Sequence, residues 1–557
     1  MNSVTSTTSY CMMVLGMAIL TGPGCMLGKT AADNGHPEPL PQSKVWVADN
    51  GDGTYKNPVL QADYSDPDVL RVGTDFYLVS SSFNCAPGIP VLHSKDLVNW
   101  RLIGHVFTQQ PPGEVFSKPQ HGMGVWAPAI RFHRGEFYIY YPDPDRGIYM
   151  VKANNPAGPW SEPLLVKAAK GWIDPCPFWD ADGSAYLVNA MAASRCGSKS
   201  MLFLNRMTAD GTRLLGDPVI VFDGHAKHPT IEGPKLYKRN GYYYIFAPAG
   251  GVETGWQLVL RAKNIYGPYE EKITLQQGKT PVNGPHQGGW VDTPAGESWF
   301  LHFQDQAAYG RVVHLQPMKW VNDWPQMGID QDGDGIGEPV LSHRKPNVGQ
   351  TFPMVTPPDT DEFNGNHIGL QWQWQANPGQ NWAFPTSSYG ILRLPCIPLP
   401  ATYRNLADVP NLLLQKFPAT AFTATTKLTF SPMTDGETAG LIVLGLDYAH
   451  IAVTKKADGL HVVQTVCKEA IAKGSPETAG ADLAITGNTV YLRVTVSPGA
   501  ICTFSFSTDG KTFQGVGLPF AATKGKWIGA KVGLFAVRTG LTYETGYADF
   551  DWFRLVP

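Results

Sequence analysis

The chain has 557 residues, too many for a single hydrophobic core. Lys and Arg total 44 against 47 Asp and Glu, and a net charge of −3 gives no reason to expect a nucleic-acid partner. Gly (59) and Pro (46) are scattered among apolar runs and aromatics reach 11%, which excludes a disordered chain and favours a turn-rich all-β protein.

The first element is the apolar run "CMMVLGMAILTG" from Cys11 to Gly22. It is too short to span a bilayer and fits the core of a signal peptide within residues 1–25, although no Lys or Arg precedes it. The expected destination is secreted or periplasmic. Cys25 follows "GPG", a poor match to a lipoprotein cleavage box, and membrane attachment is expected only if Cys25 is lipidated. Residues 26–44 read as a linker. No Cys-x-x-Cys pair occurs among the eight Cys, so neither a zinc ribbon nor a thioredoxin-like site is supported.

From residue 45 a unit recurs, at roughly 50–60 residues per copy. Its copies are "DPDVLRVGTDFYLV", "WAPAIRFHRGEFYIYY", "DPCPFWDADGSAYLV", "EGPKLYKRNGYYYIFA" and "HQGGWVDTPAGESWFLHF". Each reads as strand, tight turn and aromatic strand, with turn glycines at 73, 135, 183, 241 and 296. Five such hairpins predict a five-bladed β-propeller over residues 45–340, in preference to one large sandwich.

Counting back from each glycine to the start of its first strand gives Asp66, Trp126, Asp174, Glu232 and His286, seven to ten positions upstream. If that strand is the innermost one, these residues ring the mouth of the central channel. Acidic residues are ordinarily solvated, so three at five equivalent positions call for a chemical reason. Two carboxylates facing across a pocket are what glycoside hydrolysis uses, one as acid and one as base or nucleophile. A third raises the acid's pKa by repulsion. The Pro after Asp66 and after Asp174 predicts extended backbone at both acids.

The segments "DYSDPDVLRVGTDFYLVSSSFNCAPGIPVLHSKDLVNW", "WIDPCPFWDADGSAYL" and "TIEGPKLYKRNGYYY" resemble glycoside hydrolase family 43 over about residues 45–350. The resemblance implies five-bladed propellers that invert anomeric configuration. It implies Asp66 as general base, Asp174 as pKa modulator and Glu232 as general acid; the residues alone do not choose among Asp63, Asp66 and Asp68. It also implies Phe83 and Trp126 as walls of the sugar pocket and Arg311 as a partner of sugar hydroxyls. His286 is matched to a histidine at the channel centre, with a metal or an orienting role.

"DQDGDGIGE" (Asp330 to Glu338) matches the first part of a calcium-binding loop, but Leu341 stands where the bidentate Glu belongs, so it reads as an acidic turn. Residues 341–360 read as a linker. Residues 361–557 hold alternating runs that predict a β-sandwich resembling the concanavalin-like jelly roll of the xylosidase and arabinofuranosidase branch. For Asp361, Asp549 and Asp551 two readings stand: a shared structural calcium, or a solvent-facing strand edge.

In that branch the sandwich helps wall the pocket, which implies exo release of a terminal pentose, α-L-arabinofuranose or β-D-xylose, from hemicellulose such as xylan or arabinoxylan, with no cofactor required. The sequence leans slightly to arabinofuranose. The rivals are a non-catalytic sugar-binding propeller and an endo-acting arabinanase. A retaining fructosidase-like propeller does not fit, because the first motif is "SDPD".

Overall fold

The computed structural model describes residues 41–541 and 543–557. The signal-peptide reading, Cys11 and Cys25 lie outside the described residues. Helices are confined to single turns such as Gly113–Phe116 and Ala470–Lys473, and none among the described residues is long and apolar enough to cross a membrane.

Five four-stranded antiparallel sheets follow one another as the repeat predicts. They cover residues 68–107, 129–168, 172–223, 235–275 and 286–327, here blades 1 to 5. In each, the two strands of the repeat pair directly, as Asp68–Val72 pairs with Asp75–Val79. The turn glycines Gly73 and Gly241 have positive φ (62° and 73°) and open space where a Cβ would stand, so conformation rather than crowding selects glycine there.

The first strands, Asp68–Val72, Ala129–His133, Trp172–Trp179, Lys235–Arg239 and His286–Asp292, form the innermost layer. Blade 5 closes against blade 1 through apolar packing: Val69, Leu78 and Leu92 share one core with Trp299, Leu301 and Leu315. The chain before blade 1 reinforces the closure. Leu60 bridges Val313, and strand Thr54–Lys56 pairs with Ser342–Arg344.

The C-terminal half is a β-sandwich of an eight-stranded and a seven-stranded sheet. Strand Thr489–Ser497 shows the logic: alternate residues Val490, Leu492, Val494 and Val496 are buried in the inter-sheet core. The sandwich grips the propeller at several places, two of which flank the channel mouth. Ala86 and Trp374 exchange backbone hydrogen bonds of 3.2 and 2.6 Å, beside an Asn84 side chain that donates to the Gln375 carbonyl. On the other side the Ala530 amide donates to the Ala308 carbonyl, and the Gly529 amide to Asp63.

Candidate active site

Asp66 lies where the chain enters blade 1. Its carboxylate is buried and held from two sides: Ser81 Oγ donates to Oδ2 (2.6 Å) and Arg311 Nη1 to Oδ1 (2.9 Å). Arg311 opens strand Arg311–Val321 of blade 5. The two neighbouring acids are engaged elsewhere. Asp63 accepts from the Arg311 and Gly529 amides, so it fastens the blade-5 turn to the sandwich. Asp68 accepts from the Ile130 amide and pairs with partly buried Arg131 at 2.6 Å, joining blades 1 and 2 below the pocket. Of the three acids that the sequence leaves open, only Asp66 faces the cavity.

Asp174 sits at a break in register between Ile173 and Cys176, a β-bulge on the inner strand of blade 3. A bulge re-aims a side chain, here toward the channel mouth. The expectation of extended backbone at both acids is corrected: Asp66 and Asp174 have φ of 53° and 55°, in the left-handed region. The proline's preference is overridden by the turn that carries Asp66 into its strand and by the bulge at Asp174. Such strain persists only where the surrounding structure over-determines it. For Asp174 part of the surround is the Gly233 amide, which donates to Oδ2 at 2.7 Å. Burial pushes the Asp174 carboxyl up to about 7, the negative charge of Glu232 adds to the rise, and Lys235 and the Gly233 amide work against it.

Glu232 precedes the inner strand of blade 4, and its amide donates to the Pro248 carbonyl. Its side chain is 24% exposed, while that of His286 beside it is 1% exposed, with Nε2 at 3.2 Å from Glu232 Oε1. His286 stands at a second bulge, between His286 and Gly288. Its ring nitrogens make no hydrogen bond. Calcium takes about six to eight oxygen ligands; among the described residues the one carboxylate at ion-pair distance from His286 is Glu232, so the residues present do not make a calcium shell there.

All seven pocket residues read from the sequence line one cavity of about 260 Å³: Asp66, Phe83, Trp126, Asp174, Glu232, His286 and Arg311. The sequence reading missed Trp527. It belongs to a loop of the sandwich, lines the same cavity, and meets Trp126 edge-on with ring centroids 6.0 Å apart. Its signal was a lone aromatic in "KGKWIGAK", a polar stretch that breaks the strand alternation. Gln287 and Thr230 also line the cavity and were not anticipated.

This architecture, a five-bladed propeller followed by a β-sandwich, has close counterparts. The model of glycosyl hydrolases family 43 matches residues 55–325, and that of the beta xylosidase C-terminal concanavalin A-like domain matches residues 360–556. A putative beta-xylosidase of Xylanibacter ruminicola is 42% identical over 499 residues, covering 88% of each chain. The chain belongs to glycoside hydrolase family 43. This family-43 enzyme is also 29% identical over 539 residues to a non-reducing end alpha-L-arabinofuranosidase of Bacteroides ovatus, covering 90% of this chain and 94% of that one. Its fold is similar to the crystal structure of a xylan beta-1,4-xylosidase from Bacillus halodurans, with TM-score 0.80 and 25% identity over 90% of this chain and all of that one.

The shared calcium at Asp361, Asp549 and Asp551 is corrected. Asp549 forms a two-pronged pair with Arg393 (2.7 and 2.8 Å), and Asp551 pairs with Lys427 (2.7 Å). Asp361 accepts from Trp372 Nε1 and from the Phe363 amide. Each charge is spent on its own neighbour, and the three do not form a metal-type cluster. The described residues bring ligand atoms that close together only at Asp330, Asp332 and Asp334, in the exposed acidic turn.

Proposed function

We propose that this enzyme removes single pentose units from the non-reducing ends of hemicellulose chains or side chains, with inversion at the anomeric carbon. Asp66 is the general base: oriented by Arg311 and Ser81, it takes a proton from the attacking water. Glu232 is the general acid. Its side chain is open to the cavity whereas Asp174 is buried, so Glu232 is the carboxyl placed to reach the leaving oxygen with a proton. It passes that proton to the leaving oxygen as the glycosidic bond breaks. Asp174 stays behind, its position set by the bulge and the Gly233 amide.

The observation that carries this reading is the closure of a cavity holding Asp66, Asp174 and Glu232 by Trp527 of the sandwich. A walled pocket suits a chain end, whereas an endo-acting enzyme needs an open groove. β-D-xylose is the leading substrate, because the 42% identical relative is named a putative beta-xylosidase. α-L-arabinofuranose, toward which the sequence leans slightly, is the second reading, supported by the Bacteroides relative. Chromatography of products from linear xylo-oligosaccharides and from arabinoxylan tests it. The expected product is one free pentose from the first minutes. Accumulation of shorter oligosaccharides without free pentose would contradict exo action.

A further inference from the structure

Cys85 and Lys531 meet inside the seam between propeller and sandwich. Lys531 Nζ lies 2.9 Å from Cys85 Sγ, and the two residues are 446 positions apart in the chain. Both are buried, at 1% and 4% exposure. The surround fixes them: Cys85 sits in the loop whose neighbours Asn84 and Ala86 bond to the sandwich backbone, and Lys531 Nζ also reaches Gln373 Oε1 at 3.4 Å. Lys531 also lines a small cleft with Asn84, Ile528 and the exposed Lys526. The pair does no work in the proposed hydrolysis. Its two segments nonetheless carry pocket walls, Phe83 beside Cys85 and Trp527 just before Lys531.

We infer that Cys85 and Lys531 form a redox-sensitive covalent crosslink, a sulfenamide, between the two domains when the enzyme meets hydrogen peroxide. In the first step one peroxide oxygen passes to Sγ and the O–O bond breaks. Sulfur is oxidised by two electrons, and the other oxygen leaves as water. In the second step Lys531 Nζ gives up its extra proton to water and attacks the sulfenic sulfur. An S–N bond forms, the S–O bond breaks, and the hydroxyl leaves with an amine proton as a second water. A thiol reverses the link by attacking sulfur and returning the amine. The crosslink ties segments that are far apart in the unfolded chain, so it stabilises the fold in the manner of a long-loop disulfide.

The test is peptide mass spectrometry of the intact enzyme after hydrogen peroxide, digested without reductant. The expected result is a peptide pair joined through Cys85 and Lys531, lighter by two hydrogens than the sum of its parts. The pair should part with dithiothreitol, and the treated enzyme should melt several degrees higher until the thiol is added. A Lys531→Arg variant should give no joined pair and should oxidise Cys85 to the sulfinic acid. Wild-type protein with Cys85 unmodified, oxidised to sulfinic acid with Lys531 free, or joined to the nearby, partly buried Lys416, would overturn the inference.

Discussion

Arg311 Nη1 stands 2.9 Å from Asp66 Oδ1, a buried ion pair between the last blade and the entry to the first. The pair therefore lies where the ring closes, and it links the integrity of the propeller to the position of the proposed base.

Removing either partner should show both roles. Asp66→Asn should lower kcat by about 10²–10⁴-fold with little change in fold. Arg311→Met leaves a carboxylate buried without its cation, which costs about 3–5 kcal/mol. Urea denaturation should detect that loss, and the double variant should recover part of it while staying inactive. Full stability in Arg311→Met would show that the pair does not support the closure.

Glu232→Gln keeps size and shape but cannot give up a proton. Activity on xylo-oligosaccharides should fall by about 10²–10⁴-fold, while aryl glycosides with good leaving groups stay partly active because they need little protonation. Comparing the two substrate classes checks this; equal losses would remove Glu232 from the acid role.

Asp174 makes a prediction about stability and pH. Its carboxyl is raised to about 7 in the folded enzyme, against about 3.9 in an unfolded chain. Between those values the folded state binds more protons than the unfolded state. Its contribution to stability is therefore full below about pH 4 and is lost as pH rises through about 7. Asp174→Asn should flatten this part of the Tm-against-pH curve and melt higher than the parent at pH 8. An unchanged curve would show that Asp174 is not the buried acid holding that proton.

Trp527→Ala should open the sandwich side of the pocket. The lost contact is worth about 1–2 kcal/mol, or roughly a 5–30-fold rise in KM for aryl xyloside. kcat should change less, since Trp527 makes no hydrogen bond to any of the three acids. Initial-rate kinetics separate the two parameters, and an unchanged KM would place the bound sugar away from this wall.

Much of this was legible in the sequence because a propeller repeats its grammar. Glycines such as Gly73 and Gly241 mark turns with positive φ, and counting back from them reached Asp66, Trp126, Asp174, Glu232 and His286. What stayed hidden depends on contacts between distant segments. The bulges at Asp174 and His286 are products of strand pairing, so a proline signal pointing to extended backbone misled at Asp174. Trp527 reaches the pocket from the other domain. Asp549 looked free until Arg393, directly across from it on the paired strand, claimed it.

The central claim is hydrolysis with inversion by Asp66 and Glu232. Proton NMR of the first turnovers of aryl β-D-xyloside and aryl α-L-arabinofuranoside tests it most directly. The account predicts that the first sugar signal is the inverted anomer, α-D-xylose or β-L-arabinofuranose, with mutarotation following. First appearance of the retained anomer would contradict it, since it would require a carboxylate to attack the sugar itself.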